Sequence, residues 1–323
     1  MPPGIHRQEA VLLLPGRYGL EIGAMHNPFA VPPEYQVEYL DVEGSQALHR
    51  LFPELHDAPM VPLDYIGDIG KDSVAAITGK VYDFVILSHV LEHVANPIQV
   101  IQNVWAGIRE GGDFVLAVPD KDFTFDHNRP LTPYEHLLAD YFCGEKTVSD
   151  DHYTDFLTHV HPEVFRSKEV FIQALGNVRK RREHVHVWNS ESFRASLVKI
   201  FALIGAKAQF VYESQGKENQ LEYFALIKKK GEDDDVGDAL QTLLSIYQDR
   251  PDLQRAFPAV QGDHIGHLLQ WVISSGLTSD GAKIVLSRYE VAYRELASNY
   301  QTDHRLRAKW DSILAEQPQV SKR

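Results

Sequence analysis

Cysteine is nearly missing: Cys143 is the only one in 323 residues, so no disulfide framework can form within the chain. Long apolar runs are missing too. None approaches the roughly 20 residues that span a bilayer, and no membrane association is expected. Basic charge is in deficit, with 32 Lys and Arg against 45 Asp and Glu, a net −13. A general nucleic-acid binder needs a basic face, so the acidic excess argues against that class. The start "MPPGIHRQEA" has no apolar core after a basic opening. No signal peptide is therefore expected, and the expected location is the cytoplasm. Internal repeats and low-complexity tracts are also lacking. The length suits one large domain, or one domain with an appendage.

What is present is an alternation of short apolar runs and helical patterns over the first 230 residues. The runs "RYGLEIG" (17–23), "QVEYLDV" (36–42), "VPLDYIG" (61–67), "YDFVILS" (82–88) and "GDFVLAVP" (112–119) read as strands. The last two are apolar at nearly every position, as strands covered on both faces should be. Between them, Ile98, Ile101, Val104, Trp105 and Ile108 fall at helical spacing, and the double glycine 111–112 is expected to stop that helix. Strand, helix and strand in about 35 residues predict a parallel crossover. Residues 120–187 break the rhythm with a stretch rich in His, Asp and Tyr. A helix at "SESFRASLVKIFALIGA" follows, then "KAQFVYESQ" and "LEYFALIKKK", which predict an antiparallel pair at the sheet edge. The acidic "GEDDDVGD" at 231 marks a joint. Beyond it, "ALQTLLSIYQ", "GHLLQWVISSG" and "IVLSRYEVAYRELASNY" carry helical apolar stripes.

Glycine just after a first strand lets a ligand approach the backbone at the sheet's carboxyl edge. In "GLEIGAMHNPF" (19–29) that turn also holds an acid, Glu21, two positions before Gly23. An acid there repels a pyrophosphate and suits a ligand with an ammonium group. Asp41 ends the next strand about 20 residues on, where a ribose would present its hydroxyls. Asp64 and Asp68 end the third.

Together, "LEIGAMHNPF", "YLDVEGS", "VPLDYIGDIG" and "YDFVILSHVLEHVANP" resemble the S-adenosylmethionine-binding motifs of class I methyltransferases, over roughly residues 17–230. The resemblance implies an α/β, doubly wound, seven-stranded Rossmann-like sheet with its last strand antiparallel. An insert (120–187) would follow strand five and form the acceptor site, within a domain of residues 1–230. A C-terminal helical appendage (231–323) would follow, able to join two copies into a homodimer. S-adenosyl-L-methionine is the implied cofactor. Glu21, Gly23 and the neighbouring Ala24 and Asn27 would hold its methionine part, and Asp41 its ribose. Asp68 with Ile69 would meet its adenine, with Asp64 as the less favoured acid. Ser88 and His89 would flank it. Met25 departs from the family pattern, which has glycine there. The turn is then expected to take a conformation that tolerates a side chain, shaped by Asn27-Pro28.

Seven of the sixteen histidines lie between residues 127 and 186. A hydroxyl acceptor is a weak nucleophile until its proton leaves, and imidazole is a suitable base near neutral pH. His152 and His186 are the leading candidates for that base, with His136 and His184 behind them. His136 and Asp140 share a helix face four residues apart, on a helix that Thr132, Pro133 and Glu135 are expected to start. His184 and His186 share a side if "HVHVW" is extended. Asp126, His127, Arg129 and Asp140 are candidate acceptor contacts. His136, Asp140, His152, His184 and His186 are also metal-ligand types, so a divalent metal is a further reading of the insert, although none is predicted and the sequence does not decide a metal requirement. His89 and His93 read as cofactor-pocket and packing residues.

The stretch "PDKDFTFDHNRPLTPYEHLLADY" followed by "HVHVW" is similar to methyltransferases found alongside glycosyltransferases in bacterial glycan and natural-product pathways. The tail segment "YQDRPDLQRAFPAV" resembles one seen beside such glycosyltransferases. That likeness implies O-methylation of a sugar or oligosaccharide. The alternatives are another small acceptor bearing a phosphate or amine, for which Arg129 and "RKRR" (179–182) could serve, or a cofactor-binding scaffold that recruits a glycosyltransferase.

Overall fold

The computed structural model describes residues 5–231. The tail helices, the joint at 231–238 beyond Gly231, and the homodimer expected through them lie outside the described residues. Seven strands form one sheet: β1 (Tyr18–Ile22), β2 (Gln36–Asp41), β3 (Tyr65–Ile66), β4 (Tyr82–Ser88), β5 (Ile108–Pro119), β6 (Ala208–Ser214) and β7 (Glu222–Lys229). Their order is β3-β2-β1-β4-β5-β7-β6. The first five are parallel, and β7 runs antiparallel to both neighbours. This is the seven-stranded, doubly wound sheet that the alternation predicts. The strand order reverses between β1 and β4, and that switch point opens a crevice at their carboxyl ends.

Nine helices are described: α1 (Ile5–Val11), α2 (Ser45–Leu51), α3 (Val74–Thr78), α4 (Pro97–Trp105), α5 (Tyr134–Cys143), α6 (Asp150–Val160), α7 (Lys168–Arg181), α8 (Ser190–Leu203) and α9 (Gly216–Asn219). Asn96 caps α4 by accepting from the Gln99 amide, and Pro97 sits in its first turn. Seven of its nine residues are buried, as suits a crossover helix lying on a sheet. Ala10 and Val11 of α1 join a core with Phe29, Phe84, Ile86, Val115 and Phe224. The insert has its own small core of Tyr153, Phe156, Leu157, Val178 and Val185. The chain divides into two compact units. One holds residues up to 137, 145–196 and 208–231, with the whole sheet; residues 138–144 and 197–207 belong to the other.

Three local expectations change. The helix α4 ends at Trp105, and Ile108 opens β5 opposite Tyr82 instead of continuing the helical stripe. The double glycine therefore does not stop a helix; it sits inside β5 at a bulge, with Gly111 at φ 72°. Gly112 lies so close to the backbone that an added Cβ would stand 2.7 Å from the Asp83 carbonyl oxygen. Thr132 does not start α5. Its hydroxyl accepts from the Val187 amide at 2.9 Å, and its own amide donates to the Val187 carbonyl. It ties two parts of the insert together. Met25 sits at φ 51°, in the left-handed region. The turn keeps a conformation that favours glycine, so the side chain is carried at a cost of about 1–2 kcal/mol. The Val61 amide, donating to the Met25 carbonyl at 2.8 Å, helps hold it there.

Candidate active site

The crevice is built from the ends of β1, β2 and β4. Glu21, one residue before the end of β1, is 3% exposed. Both its carboxylate oxygens accept from the Phe29 amide, at 2.9 and 3.0 Å, which folds the 23–29 loop back over the strand. Burial pushes its pKa up to about 7, against the lowering effects of that hydrogen bond and of Arg7. One amide does not use up a carboxylate's lone pairs, so Glu21 can still accept from a ligand ammonium. Gly23, at φ 74°, leaves space that a Cβ would fill: it would stand 2.7 Å from Val90 Cγ2. Ala24 is buried, and the Asn27 amide donates to its carbonyl, so these two residues shape the loop.

Asp41 closes β2 and is buried. Burial raises its pKa even though the Val42 and Glu43 amides favour the charged form; the Val42 contact is 2.7 Å. Asp68 is half-buried. Burial opposes its charge, but Lys71 and the Gly70 amide outweigh that and hold its pKa low. Ile69 is buried, and its carbonyl accepts from Asn103 of α4 at 2.8 Å, which fixes this loop to the crossover helix. Asp64 is engaged elsewhere, accepting from the Tyr39 amide at 2.9 Å on the exposed side of β2. The less favoured acid thus pairs strands.

At the end of β4, Ser88 Oγ accepts from Arg7 at 3.1 Å, and His89 is held at φ 55° by Glu222, 2.7 Å from its Nε2. Glu222 is fully buried and also receives His6 at 2.7 Å and the Arg7 guanidinium at 2.8 Å. Burial opposes its charge, but these three donors hold its pKa far below the usual carboxylate range. Arg7 also lies over Phe29, 5.5 Å from the ring centroid. His6, Arg7 and Glu222 were not legible as site residues. The available signal was an acid opening an otherwise apolar strand.

The insert's polar residues separate into two groups. In the first, Arg129 is 1% exposed. It donates to Asp126 at 2.9 Å, Asp155 at 2.9 Å and the His184 carbonyl at 3.0 Å. Asp126 also accepts from His184 Nδ1 at 2.6 Å. Arg129 and Asp126, expected at the acceptor, are thus an internal brace shut away from solvent. His127, expected at the acceptor, stays exposed, and Asp140, also expected there, is buried. In the second group, His136 Nε2 and His152 Nε2 are 3.3 Å apart, and His152 Nδ1 donates to the Val185 carbonyl at 3.1 Å. His186 packs against both rings and stacks on Trp188 at 5.5 Å. Burial and its two imidazole neighbours press its pKa well below the ordinary value. A leading base candidate is therefore held neutral and weakly basic by its surroundings. His184 and His186 serve different groups, because Val185 and His186 both turn their amides to the Glu92 carbonyl, at 2.8 and 3.1 Å. In the "RKRR" run, Arg179 pairs with Asp150, Arg181 with Glu54 and Glu183, Arg182 is the left-handed cap of α7, and Lys180 is exposed.

A sequence model described as a methyltransferase domain matches residues 5–197, three-fifths of the chain. The chain belongs to this family. Its cofactor is S-adenosylmethionine, and the buried Glu21, the Gly23 cradle and the buried Asp41 at successive strand ends fit that ligand. No curated protein matches the sequence. Among solved structures, similar ones include the CurJ carbon methyltransferase, at 14% identity and TM-score 0.36, covering 67% of this chain and 49% of that one. An O-methyltransferase family protein from Burkholderia thailandensis is 12% identical at TM-score 0.37, covering 70% and 57%. The N-terminal domain of EvdMO1, in the presence of SAH and D-fucose, is 16% identical at TM-score 0.35, covering 71% and 83%. This methyltransferase thus spans about half the length of the first two. Among the described residues, no helix is long and apolar enough to cross a membrane.

Two outcomes follow for the cofactor crevice. With Asp41 accepting from the ribose hydroxyls, Asp41→Ala would remove two charge-assisted hydrogen bonds, each worth roughly 1.5–3 kcal/mol. Calorimetry should show at least a tenfold loss of affinity for S-adenosylhomocysteine; unchanged affinity would remove Asp41 from the site. Glu21 gives a pH dependence. Its folded-state pKa is raised, so the ligand-free fold is favoured with Glu21 protonated, and that stability is lost as pH rises from about 4.5 through about 7. An ammonium ligand needs the carboxylate, so binding below pH 7 expels a proton. Affinity should strengthen as pH rises toward 7, by up to about tenfold per unit. Glu21→Gln should flatten that slope; a slope equal to wild type in the variant would assign it to another group.

Proposed function

We propose that this methyltransferase transfers a methyl group to a hydroxyl of a sugar or oligosaccharide, with His152 as general base. The observation that carries the choice of base is the fixing of His152. Donation from Nδ1 to the Val185 carbonyl makes Nε2 the basic nitrogen, and His136 lies 3.3 Å from it. A base oriented by a third group is the arrangement that activates a weak nucleophile. Val185 links this imidazole to the cofactor crevice, since its amide is bonded to Glu92 in the turn after β4. His186 is too depressed in basicity, and His184 is tied to Asp126.

The bound cofactor supplies a methyl group on a sulfonium, which is already a good leaving group. The residues of this chain then have three tasks: Glu21 and Asp41 orient the donor, the insert excludes water and aligns the acceptor, and His152 takes the hydroxyl proton. Support for a saccharide is the insert's similarity to methyltransferases found alongside glycosyltransferases. A cytoplasmic location and a domain limit near residue 230 belong to the same reading. The test is transfer from labelled cofactor to a panel of free and nucleotide-linked sugars, amines and phosphorylated compounds. A methyl ether on a sugar is expected. Transfer only to amines or phosphate oxygens would overturn the proposal.

A further inference from the structure

The turn after β4, a 3₁₀ segment Leu91–His93, holds a constellation centred on Glu92, a residue to which the proposed transfer gives no role. Glu92 is 1% exposed, and neither of its carboxylate oxygens has a hydrogen-bond partner. A buried, unpartnered carboxylate is costly and calls for a counter-charge. Around its Oε1 stand His93 Nε2 at 3.7 Å, His184 Nε2 at 3.8 Å and His89 Nδ1 at 3.6 Å. We propose that Glu92, His93 and His184, with His89 as a fourth donor, bind a divalent transition-metal ion of the zinc class.

The donor set points to that ion. Imidazoles with one carboxylate suit zinc and its neighbours, whereas magnesium and calcium take oxygen ligands. Spacing agrees. In a tetrahedron with bonds of about 2.1 Å, ligand atoms stand about 3.4 Å apart, close to the separations here. Glu92, His93 and His184 offer donor atoms within 4.8 Å of one another. Orientation is the strongest argument. Each imidazole gives its other nitrogen to an outer acceptor: His93 Nδ1 to the Arg182 carbonyl at 2.5 Å, His184 Nδ1 to Asp126 at 2.6 Å, and His89 Nε2 to Glu222 at 2.7 Å. Metal-bound histidines are fixed in this way, which leaves the inward nitrogen as a lone pair. The side chains of His89 and His93 are about a third exposed, which gives an ion a way in. The metal would pin the insert's 184–188 segment to the end of β4. This site differs from the ligand types that spacing suggests, sharing only His184, and it stands whatever the acceptor is.

The test uses the full chain, dialysed against a chelator and titrated with zinc by calorimetry, with metal content then measured by mass spectrometry. One zinc per chain is expected. Glu92→Gln and His93→Gln should each lose it, and Asp126→Asn should weaken it about 10–100-fold through the outer hydrogen bond. His161→Ala, an exposed histidine elsewhere, should change nothing. Cobalt substitution should give visible bands of a low-symmetry site. Failure of the wild type to hold zinc stoichiometrically, or equal affinity in Glu92→Gln, would overturn the proposal. Should Glu92→Gln not fold, His93→Gln decides, because its side chain is partly exposed.

Discussion

His152→Ala should lower turnover on a confirmed acceptor by about 10²–10⁴-fold, the range that a positioned general base contributes. Affinity for S-adenosylhomocysteine should stay near wild type, because His152 is bonded within the insert, to His136 and to the Val185 carbonyl. The split matters. A structural role would affect folding and binding together, whereas a base affects the chemical step alone. His136→Ala should lose less, since it removes a neighbour and not the oriented nitrogen. His186→Ala should act chiefly on stability, as it empties a fully buried ring site beside Trp188. Steady-state and single-turnover rates across the three variants check this ordering. Near-normal turnover in His152→Ala would sink the assignment.

The second large effect concerns stability. Arg129→Met should destabilise the chain by about 3–5 kcal/mol, the cost of leaving buried charges without their partner. The guanidinium serves Asp126, Asp155 and the His184 carbonyl and lies over Phe156, so it joins the start of the insert to α6 and to the 184–188 segment. Among the described residues, His159 also pairs with Asp155, at 3.1 Å. Asp126 adds a pH signature. Burial opposes its charge, but His184 and Arg129 outweigh that and lower its pKa. Its contribution is therefore present above its unfolded pKa near 4 and lost as pH falls through its lower folded value. Urea unfolding at pH 7 measures the first effect. A change under about 1 kcal/mol would show that the brace is only local, since exposed pairs contribute no more than that.

The sequence by itself determined the sheet, the switch point and the placing of acids at the ends of successive strands. Hydrophobic runs covered on both faces can only be inner strands, as β4 and β5 are, and acids that end successive strands must meet at one edge. Those features depend on short-range pattern, which neighbouring residues fix. It could not determine which polar residues of the insert share a site. Asp126, Arg129 and His184 are separated by up to 58 positions, and only the tertiary fold brings them into one brace. The same holds for Glu222, which reaches back 215 positions to Arg7. Met25 shows a third limit. Its type disfavours the left-handed turn, yet the contacts around the 23–29 loop impose it. Within "SHVLEHV", the histidines read as cofactor-pocket and packing residues, and Glu92 carried no signal at all. Its setting comes from burial and from His184, which the insert brings to it across 92 positions, and one-dimensional spacing records neither.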